Sequence, residues 1–405
     1  MYITAMTHRD ELFQLTLRWM NDDFQPEDGK VISKIFLLES AISSVVVNRL
    51  IMFLNRLFDG TLHIERIRQK QLLRERIIHH LPHQSQRNRY LAEHFQENPE
   101  YFFPRLPIDA IILTTASSNM VATCRIKQLS RMAEKVSFRM VDALFQEIQA
   151  EARNIAGQRA AAAGLTLDQL ESSPQTMHDD FVEAEARVAR RFKNKIIRIP
   201  PEAMMLNDII GFKIIGELEF LDRVPELLRR EPGVTVVEIE HHTGDYKAVN
   251  LLIDIDLPDH GELIRHLEGI DWSISFRRGL DTREIRNGIS AYVSQGARQV
   301  RMEIILTTYD ELMESEFGRS IHELRILKLR QRQTYTGPIA QNAAYLVEYL
   351  LALACSPKIH VPELPVKMFG RYLPETLAAS KWALYGHELD GGILDVFCPE
   401  LLYLS

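Results

Sequence analysis

Short runs rich in β-branched residues crowd between residues 208 and 308, and they constrain the fold more than any other feature of the chain. The runs are "DIIGFKII", "VTVVEIE", "AVNLLIDIDL", "WSISF" and "RQVRMEIILTT". Helical or turn segments separate them, "ELEFLDRVPELLRREPG" among these as a helix disturbed by Pro225. Strands of this length cannot bury themselves singly, so the pattern predicts an α+β core with a mixed sheet of about five strands flanked by helices.

The flanks carry a different signal. Residues 1–107 read as a helical region. Apolar residues recur at helical spacing through 33–58, and the basic stretch "IERIRQKQLLRERIIHHL" reads as a helix ended by Pro82. "ENPEYFFPRLP" is a boundary, and "IDAIILTTASS" suits either a strand or the start of a helix. Residues 137–198 read as a helical insert. "FQEIQAEARNIAGQRAAAAG" is built of strong helix formers, and "DDFVEAEARVARRFKNK" starts a second helix behind an Asp cap. The core spans 108–330 around this insert, and 331–405 closes the chain with helices at 338–355 and 374–386.

A net charge of −7 over 405 residues excludes a general polycation for nucleic acid. Cys124, Cys355 and Cys398 are far apart, which argues against a disulfide framework or a zinc site and suits a reducing cytosol. The N-terminus lacks the basic and apolar regions of a signal peptide. The most apolar stretch, around "SAISSVVVNRLIMFLNRLF", is flanked or interrupted by Glu39, Arg49 and Arg56, so it reads as a buried helix and not a membrane span.

Two strands carry a lone carboxylate: Asp208 at the mouth of "DIIGFKII" and Glu303 inside "VRMEIILTT". An unpaired buried carboxylate is costly, so each needs a cation, a metal or a rim position. On adjacent strands the pair could hold Mg²⁺ against phosphate; on unrelated edges they would simply face water. Gly211 would let a substrate or a neighbouring backbone approach closely. "CRIKQLSRMAEK" groups Arg125, Lys127 and Lys135, either as a phosphate clamp or as a solvated basic face. In "HHTGDYKAVNLLIDI", Tyr246 stands past a Gly turn, where it could stack on a base or serve as an edge aromatic.

In this order the four segments resemble the synthetase domain of the RelA/SpoT family, which makes ppGpp and pppGpp. "RIK" with a Lys eight residues on resembles its R-x-K…K motif. "LNDIIGFKII" resembles D-x-x-G-x-R-I, with Lys213 for the usual Arg. "GDYKAVNLLI" resembles G-Y-[RQK]-[SA]-[IL]-H, with Asp245 inserted and Asn250 in place of His. "VRMEIILTTYDELMESEFGRSIHELRILK" resembles V-E-[IV]-Q-[IF]-R-T with the E-x-G and His that follow, here Glu316, Gly318 and His322. Ile305, Thr307 and Phe317 replace a Gln, an Arg and a His, and the helical insert lengthens a connection that is usually short.

The resemblance implies a nucleotidyltransferase-type fold and a Mg²⁺-dependent transfer of diphosphate from ATP to a ribose 3′-hydroxyl of GTP, GDP or a related nucleotide. Asp208 and Glu303 would be the catalytic and metal-holding residues. Arg125, Lys127, Lys135, Lys213, Tyr246, Lys247, Asn250 and His322 would bind nucleotide. The departures keep two alternatives open: an RNA 3′ end such as that of tRNA as acceptor, with "RIRQKQLLRER" as its contact, or a nucleotide-binding regulator that has lost catalysis. Self-association stays open too.

Overall fold

Glu303 lies inside a strand, and Asp208 stands just before the strand that pairs with it. A computed structural model describes residues 1–58, 60–82, 85–170, 173–244, 247–331 and 337–385. Its elements in chain order are β1 (Tyr2–Ile3), α1 (Arg9–Met20), α2 (Asp28–Leu57), β2 (His63–Gln69), α3 (Lys70–His79), α4 (Gln86–Glu97), β3 (Pro107–Thr114), β4 (Met120–Ile126), α5 (Leu129–Ala162) and α6 (Pro174–Lys193). They continue with β5 (Met205–Leu206), β6 (Ile210–Ile215), α7 (Leu218–Leu221), α8 (Val224–Arg230), β7 (Val234–Thr243), β8 (Lys247–Asp256), α9 (His260–Glu268) and α10 (Thr282–Gln295). The last are β9 (Gln299–Thr307), α11 (Tyr309–Phe317), α12 (His322–Gln331), α13 (Pro338–Cys355) and α14 (Pro374–Tyr385).

A seven-stranded sheet runs in the order β2-β3-β4-β6-β9-β8-β7. Only β6 and β9 pair in parallel; the other ladders are antiparallel. With helices around it, this is an α+β architecture built on a mixed sheet, with two more strands than the sequence suggested. A separate pair, β1 with β5, is parallel.

The two faces of the sheet differ in chemistry. Period-2 alternation sends Phe212, Ile214, Cys124, Ile304, Leu306, Leu251 and Ile253 to one face, where all are at most 3% exposed and pack with α2, α5 and α13 into the main core. Each such side chain contributes about 1.5–3 kcal/mol on full burial. The opposite face carries Arg125, Gly211, Lys213 and Glu303, aligned across β4, β6 and β9. Part of it is roofed by α3, α4 and α11 through a smaller cluster that includes Leu73, Phe95, Ile112, Ile215 and Phe317.

The structure departs from the sequence reading at three places. The stretch "IERIRQ", read as helical, forms strand β2 at the sheet edge, and the helix begins only at Lys70. The 1–107 region is therefore not helical throughout; "IDAIILT" resolves as strand β3 beside β2. "WSISF" is a 3₁₀ turn running to Arg278, because Asp271 caps Ser273 N and Trp272 turns inward, 1% exposed, to donate to Leu267 O. Helix α6 starts earlier than expected, at Pro174 behind a Ser173 cap.

The insert is a hairpin of α5 and α6, tied by Arg159–Asp180 at 2.7 Å and Arg187–Glu151 at 3.0 Å. Among the described residues, one helix, α2, is long and apolar enough to cross a membrane, and most of that stretch is buried in the core.

Candidate active site

The β6–β9 register sets Gly211 opposite Glu303. A Cβ on Gly211 would lie 3.6 Å from Glu303 Oε2 and 4.0 Å from its carbonyl oxygen, which is ordinary contact. The missing side chain therefore leaves room over the Glu303 carboxylate, and no neighbouring backbone requires it. Glu303 Oε1 accepts from Asn250 Nδ2 at 2.8 Å, an arrangement fixed by the β8–β9 ladder, which pairs Asn250 with Ile305. The Asn250 Oδ1 is buried with no hydrogen-bond partner among the described atoms.

Asp208 lies two residues before β6. Lys127 follows β4 and donates its backbone N–H to Ile209 O at 2.8 Å, extending the β4–β6 ladder by one step. That bond directs its ammonium to Asp208 Oδ2 at 2.7 Å, and Lys135, in the second turn of α5, donates to the same oxygen. Burial raises and the two lysines lower the Asp208 pKa, and the lysines win, so the carboxyl is held well below its usual range. Burial outweighs the attraction of Asp208 at Lys127 and brings it down to about 8, and Glu303 is among the charges that act on it.

Arg125, opposite Gly211 on β4, turns to a second group of charges. It reaches Glu316 at 3.6 Å. Glu316 also meets Lys70 at 2.5 Å and Arg74 at 3.7 Å, while Glu323 meets Lys70 and Arg74 at 3.0 Å each. Lys70 and Arg74 are fully buried. Arg74 also donates to Glu316 O at 2.9 Å and to Phe102 O. Despite burial, the surrounding cations hold the Glu316 carboxyl well below its usual range. Burial pushes Lys213 down to about 8 against the pull of Glu316. Burial together with Arg125, Lys70 and Arg325 pushes His322 down to about 2, so its ring is neutral.

The expected residues thus fall into two adjoining groups on one face of the sheet. Asp208, Glu303, Lys127, Lys135 and Asn250 make one; Arg125, Lys213, His322 and Glu316 make the other. Lys247 opens β8, exposed, and no hydrogen bond or ion pair joins it to either group among the described residues. Tyr246 lies outside the described residues. Lys70, Arg74 and Glu323 escaped the sequence reading. Their signal was a Lys and an Arg four apart on a helix flanked by apolar Leu73 and Ile77, which places both cations on one buried face. These cations, with Arg66 on Asp109 at 2.8 Å and Arg76 on Glu65 at 2.9 Å, are spent on internal partners, so "RIRQKQLLRER" presents less charge to RNA than its composition suggested.

The donor set suits a hard divalent cation. Among the described residues no three His, Cys, Asp or Glu side chains gather to hold a metal alone. Mg²⁺ commonly takes one or two carboxylates and completes its shell with water and substrate phosphates. Asp208, Glu303 and the amide oxygen of Asn250, which has no hydrogen-bond partner among the described residues, are oxygen donors that could serve such a cation.

No known family profile matches the chain, and no curated protein does. Solved structures give local likenesses. The crystal structure of smu.1046c from Streptococcus mutans UA159 is 14% identical with a TM-score of 0.19, matched over 37% of this chain and 58% of its own, so less than two thirds of it is spanned. The small alarmone synthetase 1 of Bacillus subtilis, solved with its product pppGpp, is 16% identical over 40% of this chain and 70% of its own, with a TM-score of 0.19. A GTP pyrophosphokinase family protein of Streptococcus pneumoniae is 11% identical over 53% of this chain and 87% of its own, with a TM-score of 0.20. TM-scores this low do not by themselves indicate a shared fold over the whole chain.

Proposed function

We propose that the chain is an ATP-dependent pyrophosphotransferase that moves diphosphate to the ribose 3′-hydroxyl of a guanine or adenine nucleotide, an alarmone synthetase of RelA/SpoT type. One observation carries this reading: Glu303 stands beside Gly211 where the β6–β9 ladder begins, and Asp208 lies three residues before that glycine, with Lys127 and Lys135 converging on it. Such a set can bind the negative charge of a triphosphate and the carboxylate-held cation that accompanies it.

When bound, Mg²⁺ held by Asp208 and Glu303 would offset charge on the phosphates. The protein's own groups do the rest. Lys127 and Lys135 would exchange part of their hold on Asp208 for phosphate oxygens, and Arg125, already fixed by Glu316, would present its guanidinium to them. The acceptor 3′-oxygen bonds to the β-phosphorus, the bond from that phosphorus to the α–β bridging oxygen breaks, and AMP leaves with that oxygen. Glu303, held by its bond from Asn250, would draw off the hydroxyl proton. The cytosol, with its nucleotide pools, suits this role.

A second reading, a nucleotide-binding regulator without catalysis, is favoured by Ile305 and Thr307: neither supplies the Gln or Arg expected beside Glu303, and Thr307 is 2% exposed. The test uses γ-labelled ATP with a panel of guanine nucleotides, adenine nucleotides and RNA. Label in a nucleotide supports the synthetase, label in RNA moves the acceptor to a 3′ end, and no transfer with ATP still bound establishes the regulator.

A further inference from the structure

The β6–β9 ladder begins at Gly211 and Glu303, so Asp208 lies three residues outside it. Sheet pairing between β6 and β9 therefore does not fix how far Asp208 stands from Glu303. Lys127 holds Ile209, on one side of Asp208, to the β4 edge, and the N-terminal arm makes contacts on both sides of the pair. β1 lies parallel to β5, two residues before Asp208. Thr4 donates its backbone N–H to Leu206 O at 3.1 Å, and its hydroxyl lies 2.9 Å from Leu206 O and 3.0 Å from Asn207 Oδ1. On its other side, Thr4 O accepts from Arg301 N at 3.0 Å. One residue thus ties the neighbour of Asp208 to a position two before Glu303.

The arm is anchored at its far end as well. Ala297 N donates to Thr7 O at 3.0 Å, and Arg9 donates to Gln299 O at 2.9 Å, both just before or at the start of β9. Glu39, fully buried in α2, accepts from Thr7 N at 2.8 Å, His8 N at 2.7 Å and the Tyr292 hydroxyl at 3.0 Å. Its oxygens are used up in this way, which makes Glu39 an anchor for the arm. Met1 and Ile3 are fully buried and Thr4 is 4% exposed, so the arm is part of the core and has little freedom to shift.

We infer that residues 2–8 form a brace that sets the separation of Asp208 and Glu303, and that the Thr4 hydroxyl, through Leu206 O and the Asn207 amide, is the part of it that positions the carboxylate pair. The inference rests on the pyrophosphotransferase reading for its catalytic meaning. Thr4 touches no substrate; it acts through Leu206, Asn207 and Arg301.

The experiment compares wild type, Thr4→Val, Thr4→Ser and Asn207→Ala in the full chain. It measures thermal stability, kcat and KM for ATP, and Mn²⁺ affinity by electron paramagnetic resonance. Thr4→Val keeps the shape and the backbone bonds but removes the hydroxyl. The expected result is a fall in kcat on the order of tenfold with KM for ATP nearly unchanged, since small displacements of catalytic groups cost this much or more. Mn²⁺ binding should weaken by a similar factor, and Thr4→Ser should restore both. Should Thr4→Val not fold, Asn207→Ala, which trims a half-exposed side chain, decides the matter by the same readouts. Wild-type kcat and Mn²⁺ affinity in a folded Thr4→Val or Asn207→Ala overturn the brace. A wild type that binds Mn²⁺ without transferring label overturns the functional reading alone, because the Mn²⁺ comparison still judges the brace. A wild type with neither signal overturns both.

Discussion

Lys127 donates to Asp208 Oδ2 at 2.7 Å, yet the lysine is brought down to about 8 because burial weighs more than its partner. The sign of the pH dependence follows. Between about 8 and the ordinary 10.5 the folded chain binds fewer protons here than the unfolded chain. This group therefore lowers stability fully below pH 8, and its cost fades as pH rises towards 10.5. Phosphate binding runs the other way, since only the ammonium form attracts it. KM for ATP should rise above about pH 8 in a pH series. Lys127→Arg, which stays charged, should push most of that rise to higher pH, leaving a residue from Lys213, also at about 8. A wild-type KM flat from pH 7 to 9.5 would show that neither lysine meets phosphate.

Asp208→Asn keeps the volume at the mouth of β6 and removes the charge. Transfer should fall by at least about a thousandfold, as expected when a preorganised charged group at the reacting centre is lost. Glu303→Gln should do the same, although its amide can still bond Asn250. The fold should survive in both, at a cost of roughly 1–2 kcal/mol for Asp208→Asn, because Asp208 and its lysines remain partly exposed and solvent takes over some of the lost pairing. Full activity in Asp208→Asn at matched thermal stability would mean that Asp208 serves only as a turn residue.

How the sequence exposed some of this and hid the rest has a physical reason. Asp208 and Glu303 stand out because a single carboxylate in an apolar run contradicts its surroundings, and that contradiction is local. Lys70 and Arg74 do not stand out, because a basic helix is ordinarily solvated and their partners Glu316 and Glu323 lie more than 240 residues away. β2 was unreadable for a related reason. As an edge strand it carries Glu65, Arg66 and Arg68, and charged residues of this kind, common on edges, erase the apolar alternation of an inner strand. "WSISF" failed the opposite way: its apolar residues promised a strand, but Asp271 captured the backbone first.

Breaking the buried ion network one-sidedly should be costly. Lys70→Met leaves Glu316 and Glu323 facing fewer cations in a largely buried site, which should cost about 3–5 kcal/mol in urea unfolding. Pairing it with Glu316→Gln should recover part of that loss, because the orphaned charge is removed together with its partner. The acid limb is also fixed in sign. Glu316 is held below its ordinary 4.5, so its contribution is present above that pH and is lost as pH falls through the acid range. A Lys70→Met protein as stable as wild type would mean that Arg74 and Arg125 already suffice.

Gly211 offers the most discriminating substitution, because packing and function predict opposite signs. A strand-interior glycine is worth about 0.5–1 kcal/mol less than alanine through the unfolded chain's greater freedom. The added methyl would meet only Glu303, at 3.6 Å from Oε2 and 4.0 Å from the carbonyl, so nothing has to move. Gly211→Ala should therefore fold and melt at or slightly above the wild-type temperature. If the space above Glu303 admits a substrate phosphate or ribose, the same methyl blocks that approach and strips water from the carboxylate. kcat/KM should then fall by roughly tenfold, about 1.4 kcal/mol of transition-state binding. Gly211→Val should deepen the loss of activity further than it lowers the melting temperature. A Gly211→Ala protein that is more stable and equally active would show that the opening over Glu303 is not where substrate sits, and would move the reacting centre away from this pair of strands.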